Sequence, residues 1–101
     1  MSDKAHIEVP QDEIASFCKK HHIRKLALFG SVLRDDFGPD SDVDVLVEFE
    51  PGHVPSFFRL FDIEDELSAI LGLRVDLRTP EDLSRYFRQK VLSTAEVKYT
   101  A

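Results

Sequence analysis

Little in this 101-residue chain could staple it, anchor it or carry it through a membrane. Its single cysteine, Cys18, leaves no internal disulfide to form, so the fold must come from packing. No apolar run approaches the roughly 18 residues that cross a bilayer. The opening MSDKAHIEVPQDE also lacks the apolar stretch of a secretory leader, so the expectation is a cytoplasmic protein with no membrane partner. Basic excess is missing too: 13 Lys and Arg stand against 19 Asp and Glu, a net charge of -6. That balance argues against nucleic acid as a partner, because sequence-independent binding to its backbone needs Lys and Arg to neutralise phosphates. There is no internal repeat and no low-complexity tract, and 43% apolar with 32% charged residues suits a folded domain. The length allows one hydrophobic core and leaves no room for a separate substrate domain.

The periodicity changes character along the chain. Ile14, Phe17, Cys18 and His21 recur at spacings of three and four behind Pro10, which predicts an amphipathic helix over Gln11 to His22. Lys25 to Phe29 is a short apolar run closed by Gly30, the pattern of a buried strand, and Ser31 to Asp36 reads as a short helix or turn. A second strand is expected from Asp42 to Glu48 or Phe49, since Val43, Val45, Val47 and Phe49 alternate with Asp42, Asp44, Leu46 and Glu48. From Pro55 to Leu71 the residues Phe57, Leu60, Phe61, Ile63, Leu67, Ile70 and Leu71 keep helical spacing before Gly72, a C-terminal cap. Leu73 to Leu77 alternates as a third strand. Thr79-Pro80-Glu81-Asp82 then carries the start signals of a last helix, with Leu83, Tyr86, Phe87 and Val91 on its buried face. The tail from Ser93 is weakly patterned. The order implies a small mixed sheet with helices packed on it, of α+β (or α/β-like) class.

Alternation places Asp42 and Asp44 on one face of their strand, about 7 Å apart, with valines on the other. Two carboxylates held side by side repel unless a cation, a basic side chain or a proton intervenes. Oxygen-rich sites of this kind suit Mg²⁺ or Mn²⁺, whose shells are completed by waters and substrate phosphates. In LRVDLR, Asp76 projects opposite its apolar neighbours and would join the pair if the two strands are adjacent. Upstream, Gly30 lets a ligand approach the backbone, and the amides and hydroxyl after it, from Ser31, could hold phosphate oxygens at a helix N-terminus. Phosphate site and metal site together are what phosphoryl or nucleotidyl transfer requires.

The stretch GSVLRDDFGPDSDVDVLVEF resembles the signature of the polymerase-beta-type nucleotidyltransferase superfamily: Gly-Ser or Gly-Gly, about ten residues, then Asp-x-Asp among apolar neighbours. Gly30-Ser31 and Asp42-Val43-Asp44 carry it. The chain is similar, from about Ile14 to Tyr99, to the minimal nucleotidyltransferase (MNT) proteins of prokaryotes. The resemblance implies a nucleotidyltransferase fold in one domain spanning 1–101, with its core at about 11–92, a lead at 1–9 and a tail at 93–101. It implies that Gly30 and Ser31 hold the nucleotide phosphates, that Asp42 and Asp44 bind the metal, and that Asp76 supplies a third carboxylate. Arg34 falls where relatives often carry an arginine after Gly-Ser and could neutralise triphosphate charge. Many members are antitoxins that use ATP to place AMP on a tyrosine of a HEPN-domain toxin, so such a toxin, in a hetero-oligomer, is the partner implied.

Other readings of the same residues stay open. Transfer to RNA or to a small molecule is the alternative within the enzyme class, and a module that neutralises a toxin by contact is the alternative outside it. Arg34 could instead form a surface ion pair with Asp35 or Asp36, and Asp40 is expected to be a solvated loop acid. His21 and His22 share no helix face and make a poor metal site, His6 and His53 carry no evident chemistry, and Cys18 is expected in the core. Phe57, Phe58 and Phe61 could stack on a base, but their helical spacing is more often that of a core.

Overall fold

A computed structural model describes residues 7–34, 37, 38 and 40–101; the side chain of Phe87 also lies outside the described set, as do His6, Asp35 and Asp36, on which expectations had fallen. The described elements are α1 (Gln11–Lys20), β1 (Ile23–Phe29), a 3-10 turn (Gly30–Leu33), β2 (Val43–Phe49), α2 (Phe57–Leu71), β3 (Val75–Arg78), a second 3-10 turn (Pro80–Asp82), α3 (Arg85–Thr94) and β4 (Glu96–Thr100). They form a four-stranded sheet in the order β3-β2-β1-β4. β1 pairs antiparallel with β2 and β4, whereas β2 and β3 run parallel and are joined by α2, the crossover that a parallel pair requires. The expected α+β class holds.

Alternation sorts the strands onto two faces. Leu26 and Leu28 of β1, Val43, Val45 and Val47 of β2 and Val75 of β3 pack with Ile14, Phe17 and Cys18 of α1 and Ile63 and Leu67 of α2. A register shift between Ile23 and Lys25 lets Ile23 join the same core although its parity differs from that of Leu26. Cys18 is fully buried, and burial pushes its thiol up to about 12, so it packs as an inert apolar group, as expected. His21 is also buried, its Nε2 held 3.0 Å from Glu66 Oε1, which ties the end of α1 to α2. The opposite face carries a smaller cluster of Phe29, Leu46, Leu83 and Val91. Leu83, ahead of α3, and Val91 within it pack there against Phe29 and Leu46.

Three expectations are corrected. The Thr79 signal caps the second 3-10 turn, where Asp82 Oδ2 accepts from the Thr79 amide and hydroxyl at 3.1 Å. The chain then turns extended at Leu83, which drops into the small cluster, and α3 restarts with Ser84 as its cap. That break rephases the helix, so Leu83 and Val91 are buried as expected but Tyr86 is 88% exposed. The tail forms β4, an edge strand whose Tyr99 lies opposite Leu26. Phe57, Phe58 and Phe61 are exposed rather than core, and only Ile63 and Leu67 of α2 are fully buried.

The core assignment makes a contrast that denaturant unfolding can measure. Leu67→Ala should cost about 2–5 kcal/mol, the range for emptying a filled aliphatic site. Tyr86→Ala, which removes a side chain from solvent, should stay within about 0.5 kcal/mol.

Candidate active site

The register between β2 and β3 places Asp76 directly opposite Asp44 and Val75 opposite Val43. Because neighbouring strands lie about 4.8 Å apart, two carboxylates rise from adjacent positions on the face away from α1 and α2. β3 is an edge strand of four residues, and its outward amides are satisfied by α2: Val75 N–H donates to Ser68 Oγ at 3.1 Å and Leu77 N–H to Glu64 Oε2 at 2.8 Å. These two bonds hold the segment on either side of Asp76. Asp42 lies just ahead of β2 and is fixed by Arg74, whose Nε is 3.1 Å from Asp42 Oδ1 and whose Nη2 donates to the Asp40 carbonyl at 2.9 Å. The Ser31 hydroxyl donates to the Asp42 carbonyl at 3.3 Å. All three aspartates singled out in the sequence are thereby brought to one end of one face.

Gly30 serves Asp44. Its φ of +77° is open to glycine at no steric cost, and a Cβ there would collide with Asp44 Oδ2. The next amide, that of Ser31, faces the Asp44 carboxylate and favours its charged form. The expected helix N-terminus behind Gly-Ser is only a four-residue 3-10 turn, so Ser31 can offer a ligand its hydroxyl while its amide seats the acid.

Charge at the site is only partly balanced. Burial, and then the neighbouring Asp76, raise the Asp44 carboxyl above its ordinary range, with a smaller push from Asp42; the Ser31 amide and Arg78 act the other way. Arg78 grips Asp76 with both arms of its guanidinium, Nε to Oδ1 and Nη2 to Oδ2, each at 3.1 Å. That fork holds the Arg78 proton more firmly than usual and takes one acceptor site on each Asp76 oxygen, leaving the remaining lone pairs of the partly exposed carboxylate to meet a metal or a hydroxyl. Three carboxylates, one of them carrying unrelieved repulsion, fit a hard divalent cation such as Mg²⁺ or Mn²⁺.

Clefts open on both sides of this ledge. On the β1 side a cleft of about 570 Å³ is lined by Gly30, Arg34, Lys90 and Val91 among others. On the β3 side a cleft of about 360 Å³ runs past Asp76 and Arg78 to Phe57 and Phe61. Arg34 is thus placed beside Gly30 as the sequence suggested. Lys90, Arg74 and Arg78 were not singled out, because isolated basic residues look alike in sequence and only the packing of α3 and β3 brings these to the site.

The raised Asp44 carboxyl has a measurable consequence for stability without metal. A carboxyl that holds its proton more tightly when folded than when unfolded stabilises the fold at low pH, and that contribution is lost as pH climbs from about 3.8 through the raised folded value. Asp44→Asn cannot undergo this loss and still offers an oxygen to Ser31 N–H. In EDTA, thermal melts should therefore show the variant gaining on the wild type as pH rises from about 3.5 to 7. A constant difference across that range would mean that Asp44 is not under strain.

Comparison with known proteins agrees with this geometry. The sequence matches the nucleotidyltransferase domain family over residues 12–99. It is 41% identical over 70 residues to the protein adenylyltransferase MntA of Thermococcus cleftensis, covering 69% of each chain. The fold is shared with a crystal structure of a toxin–antitoxin pair with AMP-PNP, at a TM-score of 0.73 and 18% identity over 92% of this chain and 75% of that one. It is shared too with the complex of a tri-AMPylated HEPN toxin and its MNT antitoxin from Shewanella oneidensis, at a TM-score of 0.65 and 18% identity over 90% and 70% of the two chains. With a family match across nearly its whole length, this chain belongs to the nucleotidyltransferase domain family and is a nucleotidyltransferase.

Proposed function

We propose that this nucleotidyltransferase is metal-dependent and moves AMP from ATP to a tyrosine hydroxyl of a HEPN-domain toxin, acting as that toxin's antitoxin. The observation that carries the reading is the in-register pair Asp44 and Asp76, joined by Asp42 and flanked by a basic cleft on one side and an aromatic-edged cleft on the other. Support for donor and acceptor comes from the adenylyltransferase relative and from the two toxin–antitoxin structures, one with AMP-PNP and one with an AMPylated toxin.

Asp42, Asp44 and Asp76 would hold Mg²⁺ or Mn²⁺, which when bound neutralises triphosphate charge and keeps the phosphate in line for attack. The Ser31 hydroxyl, Arg34 and Lys90 serve the phosphates from the β1 side. The acceptor enters from the β3 side, where Phe57 and Phe61 suit an aromatic residue. The tyrosine oxygen then bonds to the α-phosphorus, the bond from that phosphorus to the bridging oxygen breaks, and pyrophosphate departs. Asp76, whose carboxylate keeps free lone pairs beside the Arg78 fork, takes the phenolic proton.

Incubating the chain with a HEPN partner and ATP labelled in the α-phosphate tests the reading. Label should appear on a partner tyrosine, and Asp42→Ala or Asp44→Ala should lower it on the order of a hundredfold or more while circular dichroism stays unchanged. Wild-type transfer by either variant would remove the aspartates from the mechanism. Tight neutralising binding without label would instead make the protein a contact inhibitor. Ser31→Ala should weaken nucleotide use and leave partner binding intact.

A further inference from the structure

The end of the sheet remote from the aspartates carries an arrangement that nucleotidyl transfer does not use. His22 immediately precedes β1, Glu50 immediately follows β2, and His53 sits in the turn beyond. One ligand atom from each lies within 4.8 Å of the others. Glu50 lies six positions along the chain from Asp44, which at about 3.4 Å per residue puts this cluster roughly 20 Å from the active site.

The backbone holds the three residues together. Glu50 N–H donates to the His22 carbonyl at 2.8 Å, and His53 N–H donates to the Glu50 carbonyl at 3.0 Å. His22 is the only described non-glycine residue with positive φ, at 57°, a conformation in which His, Asn and Asp are enriched. That left-handed turn after α1 brings its ring beside the β2 exit. There it stacks on His53 with centroids 3.9 Å apart and planes 15° from parallel. His21, next in sequence, is committed elsewhere, to Glu66 in the core.

We infer that His22, Glu50 and His53 form a second cation site, for a borderline transition-metal ion such as Zn²⁺, chemically distinct from the all-carboxylate site. Two imidazoles and a carboxylate are donors that zinc takes at about 2.0–2.2 Å, whereas Mg²⁺ prefers oxygen alone. Tetrahedral bonds of that length need donors about 3.3 Å apart, so the present separations must close by up to about 1.5 Å. Both histidines are exposed, so no packing holds their rings in the stack and zinc would draw them out of it. Water fills the remaining position. Bound there, the ion clips the turn after β2 to the α1–β1 junction and stabilises the folded chain, because the unfolded chain has no such grouping.

Thermal melts of the tag-free, chelator-stripped chain with added ZnCl₂ provide the test. At free zinc about tenfold above its dissociation constant, the midpoint should rise by roughly 5–10 °C. His53→Ala, Glu50→Gln and His22→Asn, the last keeping a residue that tolerates positive φ, should each weaken zinc binding at least tenfold on the order expected for a lost ligand. Asp44→Asn should retain the zinc shift, and magnesium should not compete for it. Proton spectra should show the His22 and His53 ring signals moving with zinc while those of His21 stay. No zinc shift in the wild type, or the same shift in His53→Ala and His22→Asn, would overturn the site. A shift lost in Asp44→Asn alone would place zinc on the aspartates and overturn it equally. None of these outcomes depends on whether AMP transfer occurs.

Discussion

The site depends on one constraint, the parallel register that sets Asp44 beside Asp76. The pairing is electrostatically unfavourable by itself, and nothing on the carboxylate face would select it. It is selected from below. The same register puts Val43 beside Val75 in the core under α1 and α2, and a slip of β2 by one residue would put Asp44 and Leu46, with Asp42 or Glu48, where Val43, Val45 and Val47 are buried. Hydrophobic burial thus fixes the positions of two like charges, and the bonds from Ser68 and Glu64 to the outer amides of β3 keep that short edge strand from fraying.

Around the three acids the fold supplies compensation that can be withdrawn. Arg74 holds Asp42, Arg78 holds both oxygens of Asp76, and the Ser31 amide holds Asp44. Both arginine pairs are at least partly exposed, so solvent weakens them and they can be broken at modest cost. Asp44, more buried, cannot be relieved in this way. Gly30 is bound to the same logic, since its missing side chain is the space into which the Asp44 carboxylate fits.

The aromatic residues at the start of α2 are exposed, whereas the burial of the helix is concentrated farther along it, at Ile63 and Leu67. Ile63 and Leu67 find core beneath them, and Phe57 and Phe61 do not. Helical spacing describes the face on which they lie, but it carries no information about whether anything covers that face. Phe57 and Phe61 line the same cleft as Asp76 and Arg78.

Local chemistry was enough to locate most elements and to single out Asp42, Asp44, Asp76, Gly30 and Ser31, because alternation in a strand and the steric freedom of glycine are properties of a few consecutive residues. Arg34, which lines the same cleft as Gly30, was suggested only by the family resemblance. What sequence could not show depended on contacts between distant segments. β4 exists because β1 offers it a free edge, and α3 is rephased because Leu83 is drawn toward Phe29 and Leu46. Arg74, Arg78 and Lys90 acquire meaning only beside the acids and Gly30. The His22, Glu50 and His53 grouping forms because antiparallel pairing brings the start of β1 to the end of β2, across nearly thirty residues of chain. The sequence by itself determined which side chains could do chemistry and which way each pointed from its own strand. Tertiary structure alone decided which of them meet, since burial of apolar faces chooses the strand neighbours and the polar groups are carried along.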